Sequence, residues 1–347
     1  MSDYKYAELA NKLRAQIQEG EFASGQRLPS ENELAAMTGY SRQTVRQAMS
    51  VLESEGYTSR VQGSGTYVRS VHPRREPTHN IAVVTTYIGE YIFPAILHGI
   101  DHVLSRNGYT SMLSATRNRV DNERKILTEL LQKPIDGLIV EGTKTALPNP
   151  NIDLYDRFAE LGIPVVFING FYPDLKHPVY VVADDRAGGR MACEALLKTG
   201  HRQIAGIFKS DDIQGHRRYA GYAEALRGAE LSVEDDHVIW YTTENKNNLF
   251  ATYGMKALEG CTAVVCYNDE VALQVLNAFQ AGDLRAAPPV ALASFDNSTI
   301  AQLSAVPFLS LTNPKEQLGR LAAEKLLGLV QGREETSTVL AWTVEKE

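Results

Sequence analysis

Cysteine is scarce in this chain, with only Cys193, Cys261 and Cys266 among 347 residues. An odd number without metal-ligand spacing argues against a disulfide framework or a zinc site, and predicts buried free thiols in a reducing compartment. Long apolar runs are missing as well. No stretch approaches the ~20 residues a membrane-spanning helix needs. The start, MSDYKYAEL, holds no apolar core of a secretion signal, so a soluble, cytoplasmic protein without a membrane partner is expected. No GxGxxG or GxxxxGK[ST] follows an apolar run, so no phosphate-binding loop is expected. His201, His216 and His237 have neither metal spacing nor a nucleophile motif nearby. The adjacent Asp184 and Asp185 would point apart on an extended segment rather than share a proton. Neither a cofactor nor an enzymatic activity is expected.

What is present begins between Leu28 and Val68. Ser30 lies three residues before Glu33, the spacing of a capping box for a helix carrying Leu34, Ala35 and Met37, and Gly39 ends that helix. Ser41 starts the next, whose apolar side repeats as Val45, Ala48, Met49 and Leu52 before Gly56. Upstream, Tyr6, Leu9, Leu13 and Ile17 form the stripe of an earlier helix. A short helix, a tight turn and a longer helix are the parts that place a recognition helix in the major groove of DNA. On the longer helix Arg42, Gln43, Thr44 and Arg46 face away from the apolar stripe, in the turns that meet base edges. Arginine suits that place because its planar fork bonds bidentately to guanine or phosphate. Then Gln62-Gly63-Ser64-Gly65-Thr66 separates Val61 from Tyr67 and Val68, a glycine-tipped hairpin whose backbone can approach DNA closely. Either feature alone reads equally as a solvated helix face or an ordinary turn; their succession reads as a winged helix-turn-helix.

Charge is divided along the chain. Residues 1–79 carry ten Lys and Arg against nine Asp and Glu, whereas the remainder carries 25 against 33. The acidic bulk would repel DNA, while the first segment leaves its arginines free to engage it. Residues 70–80 are polar, contain two prolines and show no apolar period, as a linker does. From Ile81 apolar strands alternate with helical segments: Ile81–Val84, Thr110–Leu113, Gly137–Val140, Pro164–Ile168, Tyr180–Val182, Ile204–Phe208, Ala263–Cys266 and Val290–Phe295. Such alternation predicts an α/β region with parallel sheets. Its length favours two lobes around a cleft. The Gly188-Gly189 pair opens a helix and is expected to permit close packing.

The motifs LPSENELA, SRQTVRQAMSVLESEG and QGSGTYV resemble the DNA-binding domain of the GntR family. By that resemblance residues 1–69 form a winged-helix domain in which Ser30 and Glu31 face the DNA backbone. Arg42, Gln43, Thr44 and Arg46 contact operator DNA, and Gly63, Ser64, Gly65 and Thr66 form the wing tip. The usual Arg-Glu of the recognition helix is Arg46-Gln47 here, so base preference does not carry over. Residues 81–347 resemble the LacI/GalR regulators and the periplasmic sugar-binding proteins. The matches are DDRAGG at 184–189 with LLKTGHRQIAGI after it, RYAGY at 218–222, Asn268-Asp269, SFDN at 294–297 and Leu311-Thr312. A GntR-type reader joined to a LacI-type sensor is similar to the arabinose repressors of bacteria.

A sugar cleft needs carboxylates, amides and a guanidinium on strand ends, with an aromatic face for the C–H side. The resemblance assigns Asp184, Arg218, Asn268 and Asp296 to the ligand, with Glu141 and Glu316 beside them; apart from the resemblance, Tyr91 and Phe93 are taken for the aromatic wall. The competing readings are a helix cap for Asp184 and a solvated surface residue for Arg218, while Asp269, which also precedes a helix, is taken for a cap. The expected partners are double-stranded operator DNA, a small carbohydrate effector, arabinose first, and a second copy of the chain, since one recognition helix reads too few base pairs. A transport receptor, or a regulator whose sugar is a corepressor, are the alternatives.

Overall fold

The computed structural model of the chain describes residues 3–18, 20–23, 25–61, 63–69, 77–250, 254–280 and 290–344. It divides into two compact units, residues 1–78 with 157–162, and residues 79–156 with 163–347. Gln62 and residues 70–76 of the segment read as a linker lie outside the described residues. Asn80, read as the last linker residue, is instead the first residue of a strand.

The first unit consists of α1 (Asp3–Gln18), α2 (Glu31–Thr38), α3 (Arg42–Ser54) and the antiparallel hairpin β1 (Thr58–Val61) and β2 (Gly65–Val68). Its start and stop signals act as their chemistry dictates. The Ser30 hydroxyl accepts from the Glu33 N–H at 3.3 Å while the Glu33 carboxylate accepts from the Ser30 N–H at 2.7 Å. Gly39 closes α2 in a left-handed conformation, and the Ser41 hydroxyl caps α3 by accepting from the Thr44 N–H. Leu9, Leu13, Ile17, Leu34, Val45, Ala48, Met49 and Leu52 meet in one core. Met37, read with Leu34 as part of that helix's apolar set, is 74% exposed; α2 buries Leu34 alone.

The second unit runs β3 (Asn80–Thr85), α4 (Phe93–Arg106), β4 (Thr110–Ala115), α5 (Val120–Leu130), β5 (Gly137–Val140), α6 (Ile152–Glu160), β6 (Val165–Ile168), β7 (Val179–Ala183), α7 (Asp185–Lys198), β8 (Ile204–Lys209), α8 (Ile213–Gly228), β9 (Val238–Tyr241), α9 (Gly254–Ala257), β10 (Ala263–Cys266), α10 (Asp269–Gln280), β11 (Ala291–Phe295), α11 (Thr299–Leu303), β12 (Leu309–Leu311), α12 (Lys315–Val330) and β13 (Thr338–Leu340). It forms two parallel sheets, in the orders β13-β7-β6-β5-β3-β4 and β12-β11-β10-β8-β9. All eight apolar runs identified in the sequence became strands. The other three, β9, β12 and β13, are sheet edges where burial is incomplete; β12 and β13 are three residues long and carry no continuous apolar run, whereas β9 is the apolar run Val238–Tyr241.

The chain crosses between these lobes three times. It leaves the first lobe after β7, returns between β12 and α12, and reaches across again after β13, where Thr343 and Thr312 exchange backbone hydrogen bonds of 2.8 and 2.9 Å. The Asp184 N–H donates to the Leu340 carbonyl at 2.8 Å, tying the first crossing to the third. Next to these crossings α7 and α8 touch through glycines. A Cβ at Gly189 would strike the Arg218 carbonyl, and one at Gly221 the Arg186 carbonyl. The absence of those side chains lets Arg218 on α8 lie beside Asp185 on α7.

Candidate functional site

The winged-helix unit presents its polar side chains on α3 and the wing. Arg42 and Gln43 are exposed, and Arg46 is 66% exposed. Thr44 is half-buried and bonded to the cap, its hydroxyl 2.8 Å from that of Ser41. Ser30 is committed to the capping box. At the wing tip Gly63 has φ +77° and Gly65 φ +135°, conformations that side chains resist. A Cβ at Gly65 would also lie 2.7 Å from Arg27 Nε. The Ser64 and Tyr67 hydroxyls are 2.6 Å apart, and Thr66 is half-buried. Glu31 turns out to serve other side chains. One of its oxygens accepts from Arg46 Nη2 at 3.1 Å and the other from Arg60 Nη2 at 2.7 Å. The Arg46 hydrogen bond, aided by Arg60, holds its carboxyl below the usual range.

In the second unit, the ends of β3, β5, β6, β8, β10 and β11 converge on a cleft of about 110 Å³. Glu141, Arg218, Asn268 and Asp296 line it, as do Tyr91 and Phe93. Four lining residues hold left-handed backbones although none is glycine: Tyr91 at φ +55°, Asn118 at +53°, Asn169 at +61° and Asp296 at +94°. Strain of this kind persists where surrounding structure enforces it, and it concentrates at binding sites.

Glu141, Lys209, Arg218 and Asp296 in the cleft each have defined partners. Glu141 is buried and accepts from the Thr86 N–H at 2.8 Å, the Thr86 hydroxyl at 2.5 Å and Asn169 Nδ2 at 2.8 Å. Burial raises its pKa, and these donors work the other way. Lys209 Nζ lies 2.5 Å from Asp212 Oδ2; burial opposes its charge, but the carboxylates of Asp212 and Asp211 outweigh burial and keep it an ammonium. Arg218 is 2% exposed, its Nε donating to Asp185 Oδ1 at 2.9 Å and its Nη1 to the Tyr267 carbonyl at 2.5 Å. The rings of Tyr267, Phe295 and Trp342 surround the guanidinium, with centroids 4.8, 4.3 and 5.0 Å away. Burial again disfavours the charge, and Asp185 with Asp296 more than restores it. Asp296 itself is pushed up to about 6, by burial first, against the pull of Arg218.

The two lobes also bond directly around the cleft. The Tyr91 hydroxyl, from the first lobe, donates to Asp296 Oδ2 at 2.6 Å and accepts from the Asp269 N–H at 3.2 Å. Asn118 Nδ2 donates to the Thr243 hydroxyl at 2.5 Å, Lys144 Nζ lies 2.5 Å from Glu244, and the Ile213 N–H donates to the Thr145 hydroxyl at 3.1 Å.

Several readings of the sequence are corrected. Asp184 is exposed and caps α7 by accepting from the Ala187 N–H at 3.0 Å, so the cap reading holds and the inward carboxylate is Asp185. Glu316 stands in the first turn of α12 with its side chain 51% exposed, near His98 and Arg320 and away from the cleft lining. Asp269, read as a cap, is buried and accepts from the hydroxyls of Ser294, Ser298 and Ser310, while Asn268 caps α10 by accepting from the Val271 N–H at 3.1 Å. Tyr91 meets Asp296 through its hydroxyl; the aromatic side of the cleft is Phe93 with Tyr87, centroids 6.0 Å apart. Asn118, Asn169, Lys209 and Asp212 were not anticipated as lining residues. The Lys209 to Asp212 run, KSDD after a strand, was the available signal.

Cations, carboxylates and amides held on rigid strand ends offer paired donors and acceptors, which is what hydroxyl groups require. Among the described residues no group of His, Cys, Asp and Glu could hold a metal ion, and no helix is long and apolar enough to cross a membrane.

Residues 5–68 match the family described as bacterial regulatory proteins, gntR family, and residues 193–344 match the periplasmic binding protein-like domain. An arabinose metabolism transcriptional repressor of Halalkalibacterium halodurans is 36% identical over 94% of this chain and 89% of its own. One of Geobacillus stearothermophilus is also 36% identical, over 95% and 92%. Among solved structures, a transcriptional regulator CelR in complex with cellobiose shares the fold at a TM-score of 0.68 and 23% identity, covering 92% of this chain and 99% of that one. A gntR-family reader of DNA and a two-lobed binding domain thus lie in one chain, in the order and over the length of these relatives, and the protein belongs to the family of arabinose metabolism transcriptional repressors.

Proposed function

We propose that the protein represses carbohydrate-utilisation genes as a homodimer, holding operator DNA through Arg42, Gln43, Thr44, Arg46 and the wing, and releasing it when one monosaccharide occupies the cleft. The observation that carries the sugar reading is the cleft itself. Its lining sets carboxylates, amides and a cation on rigid strand ends beside an aromatic face, the paired donors and acceptors and apolar wall that a sugar ring requires. Lys209, Asp212, Asn118, Asn169 and Glu141 supply the hydroxyl partners, and Phe93 with Tyr87 the apolar wall. L-Arabinose is the first candidate, because the two relatives described above are arabinose metabolism transcriptional repressors. The bounds proposed for the parts are 1–69 for the DNA-binding domain, 70–79 for the linker and, since β3 begins at Asn80, 80–347 for effector binding and dimerisation.

Release requires the sugar to bind the operator-free form more tightly, since equal affinity for both forms shifts nothing. By reciprocity operator DNA then weakens sugar binding by the same factor. Calorimetry of L-arabinose with and without a duplex selected by the protein from a random library tests this: weaker binding on DNA is expected, equal affinities would rule out induced release, and tighter binding would make the sugar a corepressor. Arg46→Ala should weaken binding to that duplex by about 1–3 kcal/mol and leave sugar binding intact, read by fluorescence anisotropy and calorimetry.

A further inference from the structure

Resting on the DNA-reading function proposed above, we infer that Arg60, on the first strand of the wing, is a DNA-contacting residue, and that Glu31 is the positioning residue holding Arg60 and the recognition-helix Arg46 together. Three elements meet at this carboxylate. Glu31 opens α2, Arg46 comes from α3 and Arg60 from β1, and each arginine takes its own oxygen of the one carboxylate. A second tie fixes the same geometry, because the Arg60 backbone N–H donates to Glu53 Oε1 on α3 at 3.1 Å. The wing strand is thereby pinned to the recognition helix from both sides.

Stability does not account for this arrangement. The Arg46 and Arg60 side chains are 66% and 51% exposed, and ion pairs that open to solvent add little to stability. One carboxylate shared by two guanidiniums leaves the cluster with a net positive charge, and Arg27 beside Gly65 lines the same groove as Arg60, Ser30 and the wing tip. Like charges gathered at an exposed site are favourable opposite a polyanion. Donor geometry agrees. Arg60 spends Nη2 on Glu31 and Arg46 spends Nε and Nη2, so Arg60 keeps Nε and Nη1 and Arg46 keeps Nη1 for phosphate or base acceptors. With its remaining donors oriented by a shared carboxylate, each guanidinium enters the complex already placed, which lowers the ordering cost of binding.

The test is the salt dependence of binding by the full chain, by anisotropy on the library-selected duplex and on its scrambled counterpart. Arg60→Gln should flatten the slope of log affinity against log salt by ~0.9 per protomer, equally on both duplexes, and Arg60→Lys should restore it. A purely structural role would instead lower the thermal midpoint and leave the slope alone; an Arg60→Gln slope equal to that of the unmodified chain therefore overturns the contact. Arg60→Ala provides the same reading should the glutamine variant not fold. Glu31→Gln should keep the slope yet narrow the affinity ratio between selected and scrambled duplexes, and an unchanged ratio overturns its positioning role. An unmodified chain that selects no duplex at all would refute the repressor reading instead, which separates the two failures.

Discussion

Replacing Arg218 by methionine should lower the unfolding free energy by about 3–5 kcal/mol, as removal of one member of a buried ion pair does elsewhere. Methionine roughly fills the space among Tyr267, Phe295 and Trp342 but leaves Asp185, 1% exposed, without its guanidinium partner. The loss is thus dominated by a stranded carboxylate rather than by a cavity. Removing both charges isolates that cause: Asp185→Leu with Arg218→Met should recover most of the stability, since a buried pair exchanged for apolar groups is often neutral. Sugar binding should be lost in both variants. Urea unfolding followed by tryptophan fluorescence reports this unit alone, because Trp240 and Trp342 are the only tryptophans and both belong to it. A double variant as unstable as the single one would show that packing around the guanidinium, not charge, is what Arg218 contributes.

Asp296→Asn should stabilise the sugar-free protein at neutral pH while abolishing its response to sugar. Burial raises the Asp296 carboxyl from 3.8 to about 6, so folding takes up a proton between those values. An acid whose folded pKa is raised gives its full stability below the unfolded value and loses it as pH rises through the folded one. The ionised form therefore costs about 3 kcal/mol above pH ~6, at 1.36 kcal/mol for each tenfold change in proton affinity. Asparagine retains an acceptor for the Tyr91 hydroxyl and carries no charge to bury. The stability difference between variant and unmodified chain should accordingly be small at pH ~4 and grow to about 3 kcal/mol by pH ~7. A difference that does not change with pH would mean that Asp296 titrates at its ordinary value. Such a cost fits a carboxylate retained for a ligand rather than for the fold, consistent with the left-handed backbone it adopts.

Much of the architecture was legible because its signals are local. Ser30 with Glu33, Ser41 and Gly39 mark helix ends through bonds spanning a few residues. The apolar runs of β3, β5 and β10 announce strands buried on both faces without reference to anything distant. Edge strands such as β13 carry only partial burial, so nothing in Thr338–Leu340 itself distinguishes them from loop. The cleft divides in the same way. The family resemblance pointed to Glu141, Arg218, Asn268 and Asp296 as candidates, the last three within quoted motifs, and folding places all four in the cleft lining.

Which neighbour faces inward was decided by tertiary structure. Asp184 and Asp185 are alike in sequence, but the start of α7 spends the first as a cap and turns the second toward α8, where paired glycines let Arg218 approach. Glu316 was a candidate by the family resemblance, yet in the first turn of α12 its side chain lies near His98 and outside the cleft lining. Lys209 with Asp212, Tyr91 with Asp296, and Glu31 with Arg46 and Arg60 are pairings of atoms brought together by folding. The chain by itself determined two kinds of domain and the residue types available for each task, because capping, periodicity and turn chemistry act over a few residues. Only the folded structure decided the partners, because hydrogen bonds and desolvation act over a few ångströms between residues as far apart as Tyr91 and Asp296, whatever their separation along the chain.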